Sequence, residues 1–253
     1  MGTHLILEVD WSHDGMWVEE AGRLLTLRGT VGFAVPGHHV AEVGHMTLEM
    51  DNFDGRYTPG SVDSPLAGKL LPRRPARIRA VSDGGEAWTI FTGWIERIEA
   101  GAESGVATIT LVDAIALLRG QPLSVTYAPS RNAVECLGAL VGMAYAAART
   151  DYEGEGEVLE HVGWRWLPET MTVWDGVLDV TRTWHGRFWV SRRGEPCYRG
   201  RAWLQKGAGA VALSLGEGSG AARDVPDRLE MALDVAQVIN AVQVVTYPVD
   251  TVG

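Results

Sequence analysis

The sequence predicts a mainly β protein with an α+β insertion: small barrel-like β domains and a helix–helix–hairpin module. Two observations carry this reading. Apolar residues alternate over short runs through the first 112 residues, the period of a half-buried strand. Between 126 and about 203 the period lengthens to that of amphipathic helices and then returns to a hairpin.

The strand runs are 5–10, 24–29, 45–50, 76–81, 88–98 and 106–112, and 45–50 sets Met46, Leu48 and Met50 on one face. Turn signals separate them, including Asp83-Gly84-Gly85 and the glycines of 101–105. Short strands at this spacing predict a small barrel or sandwich. Asp113 then caps a short helix over 114–118 that stops at Gly120. Ser130 is the expected N-cap of a helix running to Arg149, with Ala133, Leu137, Leu140, Val141, Ala144 and Tyr145 on one stripe. An acidic, Gly-interrupted loop is expected at 151–157. Thr172 and Asp175 form a capping box with Asp in place of Glu, opening a helix to about His185. Its face carries Val173, Trp174, Val177, Leu178, Thr181 and Trp184. Strands 188–190 and 197–199 flank Arg192-Arg193-Gly194-Glu195 as a hairpin.

The expected domains are therefore a β-barrel-like unit at 1–125, the α/β module at 126–205, and a stretch at 206–253. That stretch pairs a Gly-rich linker with C-terminal strands at 229–233 and 238–247, which complete or start a second β domain. A lone terminal strand cannot bury its apolar face, so 238–247 is expected to rejoin the first module, to pair with another subunit, or to belong to a domain lying beyond this chain.

Composition narrows the function classes. With 46% hydrophobic and 21% charged residues the chain has a globular balance rather than a disordered one. A net charge of −10, from 32 acids against 22 cations, argues against specific nucleic-acid binding. The longest uncharged helical run, near 137–148, is too short for a membrane span, and the acidic N-terminal residues Glu8 and Asp10 do not read as a secretory leader. Cys136 and Cys197 read as free thiols of a reduced compartment. Ten tryptophans fit surfaces buried against one another, or a Trp-rich core.

Catalytic, cofactor and metal sites are expected to be absent. His38 and His39 are adjacent, so extended backbone would point them to opposite faces, and His45 completes no ligand motif. The acid pairs Asp10/Asp14 and Glu19/Glu20 read as solvated turns. No Gly-x-Ser-x-Gly elbow or phosphate loop occurs.

The densest signal is the run from Leu48 through Asp51-Asn52-Phe53-Asp54-Gly55-Arg56-Tyr57-Thr58-Pro59, then Ser64-Pro65 and Pro72-Arg73-Arg74-Pro75. Asp51 and Asn52 can close a turn through their own backbone, Asp54-Gly55 makes a second turn, and the prolines stiffen the rest of the run. The result is a long but pre-ordered loop fitted to present a fixed surface. This run resembles one near the N-terminus of minor tail proteins and baseplate-hub-like proteins of siphophages and prophages. Phe91-Thr92-Gly93-Trp94-Ile95 resembles a strand of the same proteins, and the helix–helix–hairpin layout is similar too.

The resemblance implies a structural virion protein of tail-hub type at the tail tip or baseplate, made in the bacterial host cytoplasm. It would form a homo-oligomeric ring, a trimer in preference to a hexamer, joining the tail tube to tip or fibre proteins. Its partners would be itself and the tube or distal tail, tape-measure, and tip or fibre proteins. Such proteins usually continue past the strand corresponding to 238–247. Acidic channel walls would keep an exiting genome from sticking. Arg56, Tyr57, Arg73, Arg74 and Trp94 are the expected interface residues, since Arg and Tyr are enriched at binding hot spots. The alternative is a carbohydrate-binding module for host-surface recognition, with Trp11, Trp17, Trp88 and Trp94 exposed in one groove.

Overall fold

The computed structural model describes residues 3–206, apart from 21, 36–37, 102–104, 125–127, 148, 155–158, 163–165 and 168. Seven strands form one antiparallel sheet: β1 (Thr3–Val9), β2 (Val18–Glu19), β3 (Leu24–Gly32), β4 (Glu42–Asp51), β5 (Pro75–Ser82), β6 (Ala87–Ala100) and β7 (Val106–Val112). Their order is β2-β1-β5-β6-β7-β4-β3. Alternation assigns the faces. In β4, Met46, Leu48 and Met50 are buried while His45, Thr47 and Glu49 face solvent.

Strand β6 shapes the sheet. It pairs with β5 from Ala87 to Trp94, then with β7 from Trp94 to Ala100. At the change of partner stands Gly93, where an added Cβ would sit 2.1 Å from the Val112 carbonyl oxygen and 2.8 Å from the Phe91 ring. Glycine is required there by close approach of two backbones. The sheet rolls about this point, so Leu7 and Val9 of β1 share one core with Leu48 of β4 and Ile109 of β7. The roll is not the closed barrel that the strand spacing predicts. Among the described residues β2 meets β1 only at Glu8 and Val9, and no ladder joins it to β3. A two-residue strand is too short to seal the seam.

The chain then builds a second core. Its elements are α1 (Ala114–Gly120), β8 (Ala128–Arg131), α2 (Ala133–Ala144), β9 (Asp151–Glu153), β10 (Leu159–Val162), α3 (Val173–Thr183), β11 (Arg187–Val190), β12 (Pro196–Arg199) and α4 (Arg201–Lys206). β8 pairs with β10, and β11, β12 and β9 form a three-stranded sheet. Leu137, Leu140, Val177, Phe188 and Tyr198 pack together here with Ile115 and Leu118 of α1.

Hydrogen bonds tie the cores together. Asp113 caps α1 through Oδ1, which accepts from Ile115 N at 3.0 Å, and its Oδ2 accepts from Gly44 N of β4 at 2.9 Å. The loop between β3 and β4 is pinned to β11, where Phe188 N donates to the His39 carbonyl at 2.8 Å and Ala41 N to the Phe188 carbonyl at 2.9 Å.

Several boundaries differ from expectation. Asn132, not Ser130, caps α2, because Glu135 at the third helical position completes a capping box with it. The helix ends at Ala144 rather than at 149, with Tyr145 already extended. Part of the expected acidic loop is strand β9, held parallel to β12 with Arg199 bonding Asp151 at 2.7 Å. α3 starts as expected, with both capping-box bonds between Thr172 and Asp175 present. The expected linker at 207–220 and strands at 229–233 and 238–247 lie outside the described residues.

Gly93→Ala should destabilise the fold by about 2–3 kcal/mol, since neither clashing group is the free end of a flexible side chain. Gly138→Ala in α2, with nothing within 4 Å of its Cβ, should be neutral or stabilising by about 0.5–1 kcal/mol. Thermal unfolding followed by circular dichroism checks both; equal midpoints for the two variants would contradict the crossing point.

Candidate interaction site

The loop after β4 crosses one end of the rolled sheet. Asn52 organises its start: its Oδ1 accepts from Tyr57 N at 2.6 Å, its Nδ2 donates to Thr58 Oγ1 at 3.1 Å, and its carbonyl accepts from Gly55 N at 2.9 Å. Gly55 has φ +69°, the left-handed conformation that this Asp-Gly turn needs. Ser64 Oγ donates to the Arg56 carbonyl and accepts from Leu66 N. Tyr57 and Leu66 then enter the sheet core.

A buried carboxylate locks the loop down. Glu20 is 3% exposed and accepts four hydrogen bonds: Trp11 Nε1 at 2.7 Å, Tyr57 Oη at 2.7 Å, and Arg56 Nε and a terminal guanidinium nitrogen at 2.9 Å each. Burial pushes the Glu20 carboxyl upward, but the donors from Arg56, Tyr57 and Trp11 and the Arg56 charge outweigh it and leave it below its ordinary value. The same burial and the Glu20 charge raise the Tyr57 phenol, which stays protonated and donating. Nearby, Glu8 is held by Arg77 and Arg79 on the outer face of β1 and β5, with the Arg77 guanidinium 4.4 Å from the Trp17 ring centre. Asp10 is 3% exposed and accepts from Asp14 N and Gly15 N. Asp10 and Glu20 are thus buried and satisfied rather than solvated as the sequence suggested. Nothing in their spacing signals this: Asp10 is met by backbone amides, and Glu20 by Trp11, Arg56 and Tyr57, which lie 9, 36 and 37 positions away.

The five expected interface residues fall into different places. Arg56 and Tyr57 face inward on Glu20, and Tyr57 is fully buried. Trp94 meets Tyr145 edge-on, with ring centres 5.6 Å apart, so it spans the two cores. Arg74 is half-buried, and its carbonyl accepts from Ile95 N. Arg73 is exposed, at φ +63°. The loop's outward surface also includes Phe53 and Val62, 86% and 87% exposed, and Leu71, which sequence reasoning did not single out. Two large apolar side chains thus stand bare on a loop whose backbone is hydrogen-bonded in place.

The tryptophans do not line one groove. Trp11 is buried on Glu20, Trp17 lies beneath Arg77, Trp94 faces Tyr145, and Trp88 stands 51% exposed. His39 Nδ1 lies 2.9 Å from the Gly186 carbonyl oxygen. Burial raises both cysteine thiols to about 11. Among the described residues no group of three or more His, Cys, Asp or Glu is placed to hold a metal ion, and no helix is long and apolar enough to cross a membrane.

These features define a mainly β protein whose rolled antiparallel sheet carries a docked helix-and-hairpin unit and a locked, apolar-tipped loop. That fold is similar to the 43 kDa tail protein of prophage MuSo2 from Shewanella oneidensis, with a TM-score of 0.51 and 12% sequence identity, covering 78% of this chain and 53% of that one. It is equally similar to the tail protein from Neisseria meningitidis MC58, with a TM-score of 0.51, 12% identity, and 78% and 51% covered. At this identity the likeness is one of fold, and the chain spans about half the length of the solved structures it matches. No protein-family model matches the chain, and no curated protein matches its sequence.

Glu20→Gln should cost about 3–5 kcal/mol, because it leaves the Arg56 guanidinium without its counter-charge in a buried site. Urea unfolding measures this, with exposed Arg97→Ala as the near-neutral control.

The same groups set the pH dependence. The folded values of Glu8, Asp10 and Glu20 lie below their ordinary ones, so their stabilisation is present above about 4.5 and is lost as pH falls. Asp113, raised to about 6 chiefly by burial, has the opposite sign: its contribution declines as pH rises from about 4 to 6. Stability curves across pH 3–8 should show a falling acid limb that Glu20→Gln shallows, while Asp113→Asn removes the opposing slope; an unchanged acid limb in Glu20→Gln would refute the assignment.

Proposed function

We propose that the chain is a structural subunit of a phage-type tail, at the hub or tip, that assembles as a ring between the tail tube and the tip or fibre proteins. The observation that carries this reading is the fold shared over 78% of the chain with two tail proteins. The locked loop fits the role. Its backbone is ordered by Asn52 and Glu20 before any partner arrives, so covering Phe53, Val62 and Arg73 costs little conformational entropy. In this reading the protein does no chemistry and its partners are copies of itself, a trimer being favoured, and adjoining tail proteins. Its place is the virion. The carbohydrate-binding alternative loses its motivation, since the tryptophans that would stack on sugar rings are buried or scattered.

Light scattering on a size-exclusion column, with the protein alone and then co-expressed with its neighbouring tail proteins, tests the proposal. A trimer or hexamer in either experiment supports it, and Phe53→Ser with Arg73→Glu should return the species to monomer. A monomer in both experiments overturns it.

A further inference from the structure

Away from the loop, a cleft of about 340 Å³ lies between the segment entering β4, the end of α1 and the outer face of α3. Its apolar floor is Val40, Trp174 and Leu178, and its charged rim is Arg119, Arg182 and Glu42, with His38 and His39 beside them. The lining sets two guanidinium groups against one carboxylate. Asp175 and Asp179 stand on the Arg182 side of α3 and keep their charge, but their hydrogen bonds direct them to other donors. Asp175 accepts from Thr172 N and Oγ1 at 2.7 and 2.8 Å. Asp179 accepts from Trp166 Nε1 at 2.9 Å. Among the described residues, the Arg182 guanidinium makes no hydrogen bond or ion pair. Arg119 is held only loosely: it lies 5.3 Å from the Trp174 ring centre and 3.4 Å from Glu42 Oε2, in a pair whose side chains are 44% and 55% exposed.

We infer that this cleft is a binding site for an acidic segment of a partner polypeptide. A carboxylate would enter between Arg119 and Arg182 and accept from both guanidinium forks. Its aliphatic stem, or an adjoining apolar side chain, would lie on Leu178, Val40 and the Trp174 ring. The volume admits two or three side chains and is at the small end of ligand sites. Glu42 is the competitor: it occupies Arg119 weakly, and an incoming carboxylate displaces it. The site stands independently of the tail assignment, since it draws on the cleft alone.

The test titrates the full chain with acetyl-Glu-Leu-Glu-amide, followed by calorimetry, with acetyl-Gln-Leu-Gln-amide and glutarate as parallel probes. The acidic peptide should bind, and the glutamine peptide should bind at least about tenfold more weakly. Arg182→Gln should weaken the acidic peptide by a similar factor, whereas Glu42→Gln should tighten it by removing the competing carboxylate. This second variant keeps the test decisive even if loss of Arg182 disturbs α3. No binding at millimolar peptide, equal binding by the glutamine peptide, or indifference to both substitutions would overturn the inference. Glutarate binding as tightly as the peptide would overturn the polypeptide as the source and make a free small carboxylate the ligand.

Discussion

Strand β6 bonds to β5 along its first half and to β7 along its second, and the form of the sheet depends on that change of partner. With β5 bonded to one half and β7 to the other, the neighbours are staggered, and this stagger together with strand twist rolls the surface. Gly93 permits the crossing because no side chain separates it from the Val112 carbonyl. Rolling turns one face inward as a core, and it also leaves ends that must be covered. The loop after β4 covers one with Tyr57 and Leu66. On the other side β7 runs straight into Asp113, so the residue that ends the sheet also starts the second core.

Locking the loop with a buried carboxylate is an expensive choice unless every lone pair is met. An isolated Glu20 anion would be excluded from a site this dry, and an apolar pair of the same volume would serve stability equally well. What the charged cluster adds is direction. Arg56 approaches in a bidentate fork, Tyr57 and Trp11 each bring one donor, and the geometry admits one arrangement of two chain segments. The register between the 11–20 segment and the 52–71 loop is thereby specified.

Local signals carried most of the element list. Alternation at 45–50, the Asp113 cap, the Thr172–Asp175 box and the Asp-Gly turn at 54–55 each act within four residues, and each is present in the fold. Long-range decisions were not legible. The α2 cap was a local matter instead: Ser130 and Asn132 are equally good caps by type, and Glu135, three residues after Asn132, marks the box. β9 reads as an acidic loop because its three residues hold one apolar side chain; it becomes a strand through the β12 edge and Arg199, 48 positions away. Barrel closure depends on the length of β2, which periodicity cannot measure in two residues. The order of the loop was legible and its facing was not: sequence picks out a pre-ordered loop, but residue type alone sends Arg56 and Tyr57 outward when a carboxylate 36 residues before Arg56 draws them in.

That reversal bears on how such a loop works in contact with another protein. Arg and Tyr are hot-spot residues when free, yet here they are used internally, and the outward positions fall to Phe53, Val62 and Arg73. Large apolar side chains on a mobile loop would collapse onto the nearest core. Phe53 stays out because its neighbours Asn52 and Asp54 are both tied down, Asn52 to Tyr57 and Asp54 to Arg23 at 2.8 Å. These ties fix the backbone that carries Phe53. In the proposed assembly, a surface prepared in this way would associate through burial of exposed hydrocarbon rather than through ion pairs. Such an association would depend little on salt, in contrast to the proposed carboxylate site beside α3, where Coulomb attraction is screened as ionic strength rises.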